Sequence, residues 1–551
     1  MPSLAQRIKA VIRGDVADDL ATRSAYSHDT SIFERLPSLV VFPKSADDVS
    51  AVIRVIGEAR ARGEQVSLAA RSAGTDMTGG DLTDSVMLVF PKYMNRMLEV
   101  GDDWAKAEPG LYYRDFEKET MAKRGMLLPS YPASRELCAI GGIVSNNSGG
   151  ELTLNFGKTN DYVRELEVVL ADGTHATLRA LSENELAAKE TQQDLEGDIY
   201  RKVHALIGAH EHEIEAARPT VTKNSAGYAL WNVIDKKRNT FDLSQLVTGS
   251  QGTLAIVTAA KLGLVKLKEH RAMLVIFLSD MDILPEVVTR VLACKPESFE
   301  SYDDKTLMLA VKFMPQMLRQ MGLAQAARLG FSFIPEMTMV ATGGIPKLFL
   351  LAEFAEDTPD EALRKVEETA AALEGLPVRT KIARSEIESA KYWKMRREAF
   401  ALLRKRMKGL TAAPIMDDFV VHPKDYPQFL PELYKLLNGY SFTYAVTGHI
   451  GDGNFHIFPL VDMSQPKTHS MIMDLMPRIY DLVRKYGGAI TGEHNDGIVR
   501  TPFLSYQFSP EMLDLFAQVK QAFDPLGILN PGKKVGGTLQ DIERSMVTRS
   551  V

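Results

Sequence analysis

Three glycine-rich runs punctuate the first half of the chain: RSAGTDMTGG (71–80), AIGGIVSNNSGG (139–150) and VTGSQGTLAIVT (247–258). Glycine has no Cβ, so backbone N–H groups in such runs can close around a phosphate. The first run adds hydroxyls at Ser72, Thr75 and Thr78. The stretch GGIVSNNSGG packs four glycines, two serines and two asparagines into ten residues. No Gly-Lys-Ser/Thr follows the first run, so it is not a P-loop, and the GxGxxG spacing is absent. Any one run alone reads sooner as an ordinary loop. Three in one half of a chain point to a large ligand carrying a diphosphate. Short strands flank the first run, SLVVF (38–42), QVSLAA (65–70) and SVMLVF (85–90). Between the first two lies a helix with Val49, Val52, Ile53 and Ile56 on one face. Ser45 with Asp48 reads as its capping pair and Gly63 as its stop.

Near residue 270 the texture changes. A strand, AMLVIFLSDMD, precedes a helix-like ILPEVVTRVLA, and KLFLLAEFAED with TPDEALRKVEETAAALEG repeats the pattern. Residues 305–330 are Met-rich and read as a helix, by preference a core helix rather than one lying on a membrane surface. One more helix is expected near 510–523, among Gly- and Pro-rich loops. The expected division is 1–270, 271–480 and 481–551, the last piece returning to complete the site. The 65 basic and 71 acidic residues are well mixed and leave a net charge of −6, which argues against nucleic-acid binding. The two cysteines, Cys138 and Cys294, form no CxxC, which excludes a disulfide framework, a cysteine zinc site and an iron–sulfur cluster in this chain. A reducing cytosol fits. The first fifteen residues lack the apolar core of a secretory signal, and no run approaches eighteen apolar residues.

The stretch GHIGDGNFH places His449 and His456 around Gly451-Asp452-Gly453. On a straight strand two residues seven apart are about 23 Å apart and face opposite ways. On a helix they are about 10 Å apart. Ligands at about 2.0–2.1 Å from one ion need adjacent nitrogens. Only a reversal lets these two share a metal, and the Gly-Asp-Gly supplies one between the strand-like FTYAVTGH and FHIFPLV. The alternative is a surface turn with two unconnected histidines. In GGAITGEHNDGIVRTPFL (487–504), Glu493 and His494 are adjacent and point apart, so one can be a ligand while the other is a base. By itself this reads as a solvated loop.

The order of these motifs resembles the vanillyl-alcohol-oxidase type of flavoprotein, with its PCMH-type FAD domain. VVFPKSADDVSAVI resembles the opening strand and helix, RSAGTDMTGG the pyrophosphate loop, and PASRELCAIGGIVSNNSGGELTLNFGKTNDYVRELEVVLADG the second FAD loop. GSQGTLAIVTAAKLGLV resembles the family's Gly-Ser-Glu-Gly-Thr strand, with Gln251 where an acid is common. The resemblance covers about 25–270 and 390–535. It implies an α+β chain with a PCMH-type FAD-binding domain, a ferredoxin-like α+β substrate (cap) domain and a C-terminal segment returning to the flavin. It places the FAD diphosphate on Arg71, Ser72, Gly74, Thr75, Thr78, Gly79 and Gly80, with Pro109 and Gly110 beside them. Ser134, Gly141, Gly142, Ser145, Asn146 and Gly149 fall around the isoalloxazine and ribityl chain, Ile256 at the adenine or ribose, and Asn530, in FDPLGILNPGKKV, near the flavin. The first loop has no histidine, so non-covalent FAD is expected.

GHIGDGNFH with GEHNDG further resembles the metal-dependent D-2-hydroxyacid dehydrogenases, those of D-lactate, glycolate and D-2-hydroxyglutarate. That resemblance makes His449, His456 and Glu493 ligands of Zn²⁺ or Mn²⁺, His494 the base, and Arg396 in KYWKMRREAF the clamp on the substrate carboxylate. Arg397 reads as helix-surface charge. The implied reaction takes a D-2-hydroxy acid to the 2-oxo acid, hydride passing to flavin N5 and electrons to an external acceptor. Quinone, cytochrome, electron-transfer flavoprotein, a separate iron–sulfur protein and O₂ all fit. The hydroxyglutarate enzymes carry a lysine in the segment matching PIMDDFV and an asparagine two residues past the second histidine. Here Met416–Asp418 and Phe458 stand there, which favours a lactate-like monocarboxylate. A cytoplasmic protein is expected, with peripheral membrane contact and a homodimer left open. Three rivals remain: a flavin subunit needing a separate iron–sulfur partner, a metal-free vanillyl-type alcohol oxidase, and the ether-lipid-forming transferase, whose consecutive loop histidines GEHND lacks.

Overall fold

The computed structural model describes residues 2–306, 308, 344–384, 388–397 and 410–548. Most of the Met-rich stretch 305–330, and with it the membrane-surface reading, lies outside the described residues. The chain folds into two compact units. The first joins Met1–Gly150, Gly157–Lys266 and Ala489–Val547; the second is built mainly from Leu267–Gly488.

In the first unit the strands Leu39–Phe42, Val86–Val89 and Leu68–Arg71 pair in parallel, with Asp15–Ala17 antiparallel at one edge. The helix Ala46–Ala61 lies against them. Ser45 accepts the Asp48 N–H at its start, and Gly63 follows at φ +87°. It buries Val49, Val52, Ile53 and Ile56 against Leu68, Leu88 and Ile256. Truncating Ile53 to Ala there should cost about 2–5 kcal/mol. A second, five-stranded antiparallel sheet contains Trp104–Ala107, Ile256–Gly263 and Val163–Val169. The C-terminal segment rejoins the first sheet: Leu68 N–H donates to Ile528 O at 2.8 Å and Asn530 N–H to Leu68 O at 2.7 Å. The helix Pro510–Phe523 precedes this return, capped by Ser509.

In the second unit the strands His270–Leu278, Ser298–Asp303, Leu348–Glu356 and Arg379–Ala383 form an antiparallel sheet. The helices Leu284–Ala293 and Pro359–Ala372 connect the first pair and the last pair. Numbered along the chain, the strands lie in the order 4-1-3-2, which is the ferredoxin-like arrangement of a β-α-β–β-α-β chain. The hairpin Thr443–His449 and Asn454–Val461 extends this sheet from Ser298–Asp303. On one face, helical residues 388–397 press Tyr392, Trp393 and Met395 onto Met273, Tyr302 and Leu351. Trp393 Nε1 donates to Glu353 Oε1 at 2.8 Å. No helix of the described residues is long and apolar enough to cross a membrane.

Candidate active site

In the first unit the three glycine-rich runs interlock. Ser72 Oγ donates to the Pro109 carbonyl at 2.6 Å, and Gly141 N–H reaches the same oxygen at 2.8 Å. Gly110 beside it admits no side chain, since a Cβ there would lie 2.6 Å from Met94 O. Asp76 closes the first loop by accepting from Thr78 N–H at 2.5 Å and Gly80 N–H at 3.2 Å. Gln251 then ties the loops together. Its Nε2 donates to Asp76 Oδ2 and Thr78 Oγ1, each at 3.3 Å, its Oε1 accepts Gly497 N–H at 2.9 Å, and its own N–H reaches Ser145 O at 2.9 Å. Asn530 Nδ2 donates to the carbonyls of Gly80 and Gln251, both at 2.7 Å.

Arg71 is committed within the protein, to Asp81 at 3.0 Å and the His28 carbonyl at 2.7 Å. Gly74, Thr75 and Gly79 belong to the first loop, and Gly142, Ser145, Asn146 and Gly149 to the helix Ile140–Asn146 and the turn behind it. Ser134 caps the backbone, its carbonyl accepting from Cys138 N–H at 2.9 Å. Ile256 is fully buried at the start of the strand Ile256–Gly263 and pairs with Val169. Four buried polar atoms in these segments have no hydrogen-bond partner among the described residues: Asn146 Oδ1, Asn530 Oδ1, Thr248 Oγ1 and Ser250 Oγ. Buried atoms of this kind ordinarily have a partner, and a polar cofactor against these loops would supply it. Cys138 is 3% exposed, and burial pushes its thiol up to about 12. It is not the thiolate that a covalent flavin link would need.

The segment Gly492–Asp496 is fixed from below by the same unit. Lys158 Nζ donates to Gly492 O at 2.6 Å, Asn224 O at 2.9 Å and Ser225 Oγ. Asn146 Nδ2 donates to Glu493 O at 2.8 Å, and Asn495 Nδ2 returns bonds to Asn146 O at 3.2 Å and Gly249 O at 2.8 Å. Lys223 Nζ, fully buried, lies 3.0 Å from Glu493 Oε2. Asp496 pairs with Lys534 Nζ at 3.0 Å. Burial pushes the Lys534 ammonium down, and Asp496 opposes that shift. Asn147, Gln251, Asn495 and Asn530 take left-handed backbone at φ 48°, 52°, 71° and 43°. Four such non-glycine residues in one region mark a backbone held against its local preference.

In the second unit the hairpin sets the two histidines. His456 lies opposite Thr447, and His449 opposite Asn454. The two are therefore diagonal neighbours on the same sheet face. Their ring centroids are 5.4 Å apart at 85°. The turn is one 3₁₀ turn, Ile450–Asp452, closed by Gly453 at φ +74°, where a Cβ would lie 1.9 Å from Val421 O. Phe458 stacks on His456 at 6.2 Å. Glu300 links this hairpin to the 388–397 helix: its Oε1 lies 2.6 Å from His449 Nδ1 and its Oε2 3.1 Å from Arg396 Nη2. Arg396 is 9% exposed. Arg397 points elsewhere, pairing with Glu151 at 2.5 Å.

Asp418, at φ +70°, accepts from Asn454 Nδ2 at 3.1 Å and offers a carboxylate oxygen within 4.8 Å of a ring nitrogen of His456. His456 and Asp418 are thus two donors close enough to share an ion, of types suited to zinc or manganese, whereas His449, with its Nδ1 on Glu300, does not fall within that distance of both. Sequence reasoning missed Glu300, Asp418, Lys158 and Lys223. The signals were slight: an acid inside the strand SFESYD, and single lysines in GKTND and TVTKNSAGY.

Residues 37–179 match the model of the FAD binding domain, and residues 267–534 that of the FAD linked oxidases, C-terminal domain. A D-2-hydroxyglutarate dehydrogenase of Pseudomonas putida is 28% identical over 95% of the chain and 50% of its own length. The chain thus spans about half the length of that relative. The glycolate oxidase subunit GlcD of Bacillus subtilis is 28% identical over 94% of the chain and 93% of its own length. A D-lactate dehydrogenase of Anaerostipes hadrus is 24% identical over 97% of each. Among solved structures, 4-ethylphenol oxidase from Gulosibacter chungangensis superposes with TM-score 0.67 at 17% identity, over 98% of this chain and 97% of that one. That similarity is one of fold.

Proposed function

We infer, for a chain that belongs to the FAD-linked oxidases and carries both their FAD binding domain and their C-terminal domain, that it oxidises a D-2-hydroxy acid to the 2-oxo acid. A lactate-like monocarboxylate is the favoured substrate, and the electrons leave to an external acceptor. Bound FAD would supply a two-electron acceptor for the hydrogen and electron pair of C2, and a bound divalent ion a Lewis acid for the hydroxyl. The glycine-rich loops and the orphaned polar atoms beside them support non-covalent FAD in the first unit. His456 with the Asp418 carboxylate beside it, and His449 diagonal to His456 on the same sheet face, support the metal. Glu493 as third ligand and His494 as base belong to the same reading.

Arg396 holds the substrate carboxylate through its guanidinium fork. His494 takes the hydroxyl proton; an imidazole with an ordinary pKa near ~6.5 suits that task at neutral pH. Lys223 holds Glu493 in place through their 3.0 Å contact, and the backbone bonds from Lys158 and Asn146 keep the two residues from shifting. The observation that carries the reading is the pairing of Arg396 with His449 through Glu300. It supports the reading because Arg396, the candidate carboxylate anchor, and His449, the candidate ligand, share one carboxylate.

The test is an anaerobic screen of D- and L-2-hydroxy acids against the purified holoprotein, following flavin bleaching. D-lactate should bleach the flavin and L-lactate should not. His494→Ala should abolish bleaching with FAD still bound, and normal bleaching in that variant would remove the base assignment. Chelation with EDTA should inactivate, and zinc or manganese should restore. Full activity in metal-free protein would remove the Lewis-acid role and return the chain to the metal-free alcohol oxidases. Bleaching by the isolated chain separates an autonomous dehydrogenase from a subunit that needs an iron–sulfur partner.

A further inference from the structure

We propose that Glu300 is a positioning residue shared by the metal-ligand candidate His449 and the carboxylate-binding candidate Arg396, so that metal affinity and substrate-carboxylate binding depend on one buried carboxylate. The proposal rests on the function inferred above.

Glu300 lies on the strand Ser298–Asp303, one residue from the Ser301–Gly448 pair that joins this strand to the hairpin. Side chains alternate along a strand, so Glu300 shares its face with Tyr302. Leu351, its partner across the sheet, faces the same way. Those neighbours belong to an apolar cluster covered by Tyr392, Trp393 and Met395. A glutamate 2% exposed in such a place is costly. Buried ion pairs are weak stabilisers, and a packed apolar side chain generally does as well or better. The charge therefore calls for a reason beyond folding.

Each oxygen of Glu300 reaches one of the two residues. Oε1 takes His449 Nδ1 at 2.6 Å and Oε2 takes Arg396 Nη2 at 3.1 Å. A carboxylate at Nδ1 places the proton on that nitrogen and leaves Nε2 as the lone-pair donor, which fixes both the tautomer and the ring plane of a metal ligand. At the other oxygen one arm of the guanidinium is held. Arg396 Nε is buried with no hydrogen-bond partner among the described residues. A second carboxylate, brought by a substrate, would satisfy it. Glu300 thereby sets the spacing between ion and carboxylate clamp, the quantity that a 2-hydroxy acid, with its hydroxyl one carbon from its carboxylate, has to match.

The test uses the FAD-loaded protein, stripped of metal with a chelator and titrated with Zn²⁺ against a chromophoric competitor. Glu300→Ala should weaken zinc binding about 10–100-fold and raise KM for D-lactate, with the bound FAD spectrum unchanged. The double variant with Arg396→Ala should have a KM no higher than Arg396→Ala alone. Glu300→Gln keeps the shape but only one acceptor oxygen, so it should shift at least one of the two readings. Wild-type zinc affinity and wild-type KM together in Glu300→Gln overturn the proposal, whether or not Glu300→Ala folds. His449→Ala is the control for the underlying reading. If it binds zinc as tightly as wild type, the metal site itself is wrong. If it loses zinc while Glu300→Ala does not, only the role of Glu300 is wrong.

Discussion

Lys223 Nζ lies 3.0 Å from Glu493 Oε2, and neither side chain is more than 5% exposed. The pair joins residues 270 apart in sequence. Removing one partner from a buried pair leaves the other charge uncompensated, at about 3–5 kcal/mol. Lys223→Met should therefore lower the unfolding free energy from urea titration by that amount, seen as a lower urea midpoint. Lys223→Met with Glu493→Gln should recover more than half of the loss, because the double variant buries no lone charge. An unchanged midpoint in the single variant would show that Glu493 is compensated elsewhere.

Lys533 gives a pH-dependent prediction. Burial, with Arg35 adding to it, pushes its ammonium from 10.5 down to about 7, while its Nζ donates to Leu82 O at 2.6 Å. Below about pH 7 the folded and unfolded chains both hold this proton, and the full cost of burying the charge is present. Between about 7 and 10.5 the unfolded chain holds more protons than the folded one, so this term raises stability as pH rises. Lys533→Met removes the term. Its stability relative to wild type should be greatest near pH 6 and fall by about 2–3 kcal/mol towards pH 9, about 1.4 kcal/mol for each pH unit above the folded pKa. A difference independent of pH would remove Lys533 as its source.

These two lysines also mark where sequence reading stops. The hairpin was legible because strand alternation and a Gly-Asp-Gly reversal are local; its register was not, since the turn takes in Ile450 as well and so sets His456 opposite Thr447. The cap at Ser45 and the helix Pro510–Phe523 were legible for the same reason. The glycine-rich runs could be named as loops, and the resemblance gave them a ligand, but not the manner of their joining. That depends on Gln251 and Asn530, whose partners lie up to 450 residues away. Glu300 and Lys223 were invisible because a charge inside a strand or loop has no periodic signature; its meaning comes from a partner brought by the fold. Asp418 was noticed only as part of a segment lacking a lysine, not as a neighbour of His456.

Gln251 stands where relatives of this type commonly carry an acid, and its surroundings account for the amide. Its Nε2 donates to Asp76 Oδ2 at 3.3 Å while its Oε1 accepts Gly497 N–H at 2.9 Å. A carboxylate in this place would keep the second bond and meet Asp76 with like charge. Gln251→Glu should lose about 1–3 kcal/mol at pH 8. Burial and Asp76 would both raise the new carboxyl's pKa, so the folded form binds its proton more readily than the unfolded one. The lost stability should return as pH falls towards 5. Melts of both proteins at pH 5 and 8 test this, and an equal deficit at both would show that the cost is steric.

Substrate choice can be tested at two buried side chains of the second unit, Met416 and Phe458, 1% and 4% exposed. Phe458 stacks at 15° on His456, so it presents a ring edge where an amide would offer donors. Met416 adjoins Asp417 and Asp418, and the lysine of the hydroxyglutarate enzymes falls in the same segment. Neither of these two side chains offers a second carboxylate a cation to offset its desolvation, whereas an apolar tail needs none. Phe458→Asn with Met416→Lys should therefore raise kcat/KM for D-2-hydroxyglutarate relative to D-lactate at least about tenfold, the scale of one well-placed polar contact. The lysine would lie beside Asp417 and Asp418, which offsets its burial, and the FAD spectrum reports whether the fold survives. A ratio that does not move, with FAD bound and D-lactate still oxidised, would mean that the substrate tail lies away from these two residues.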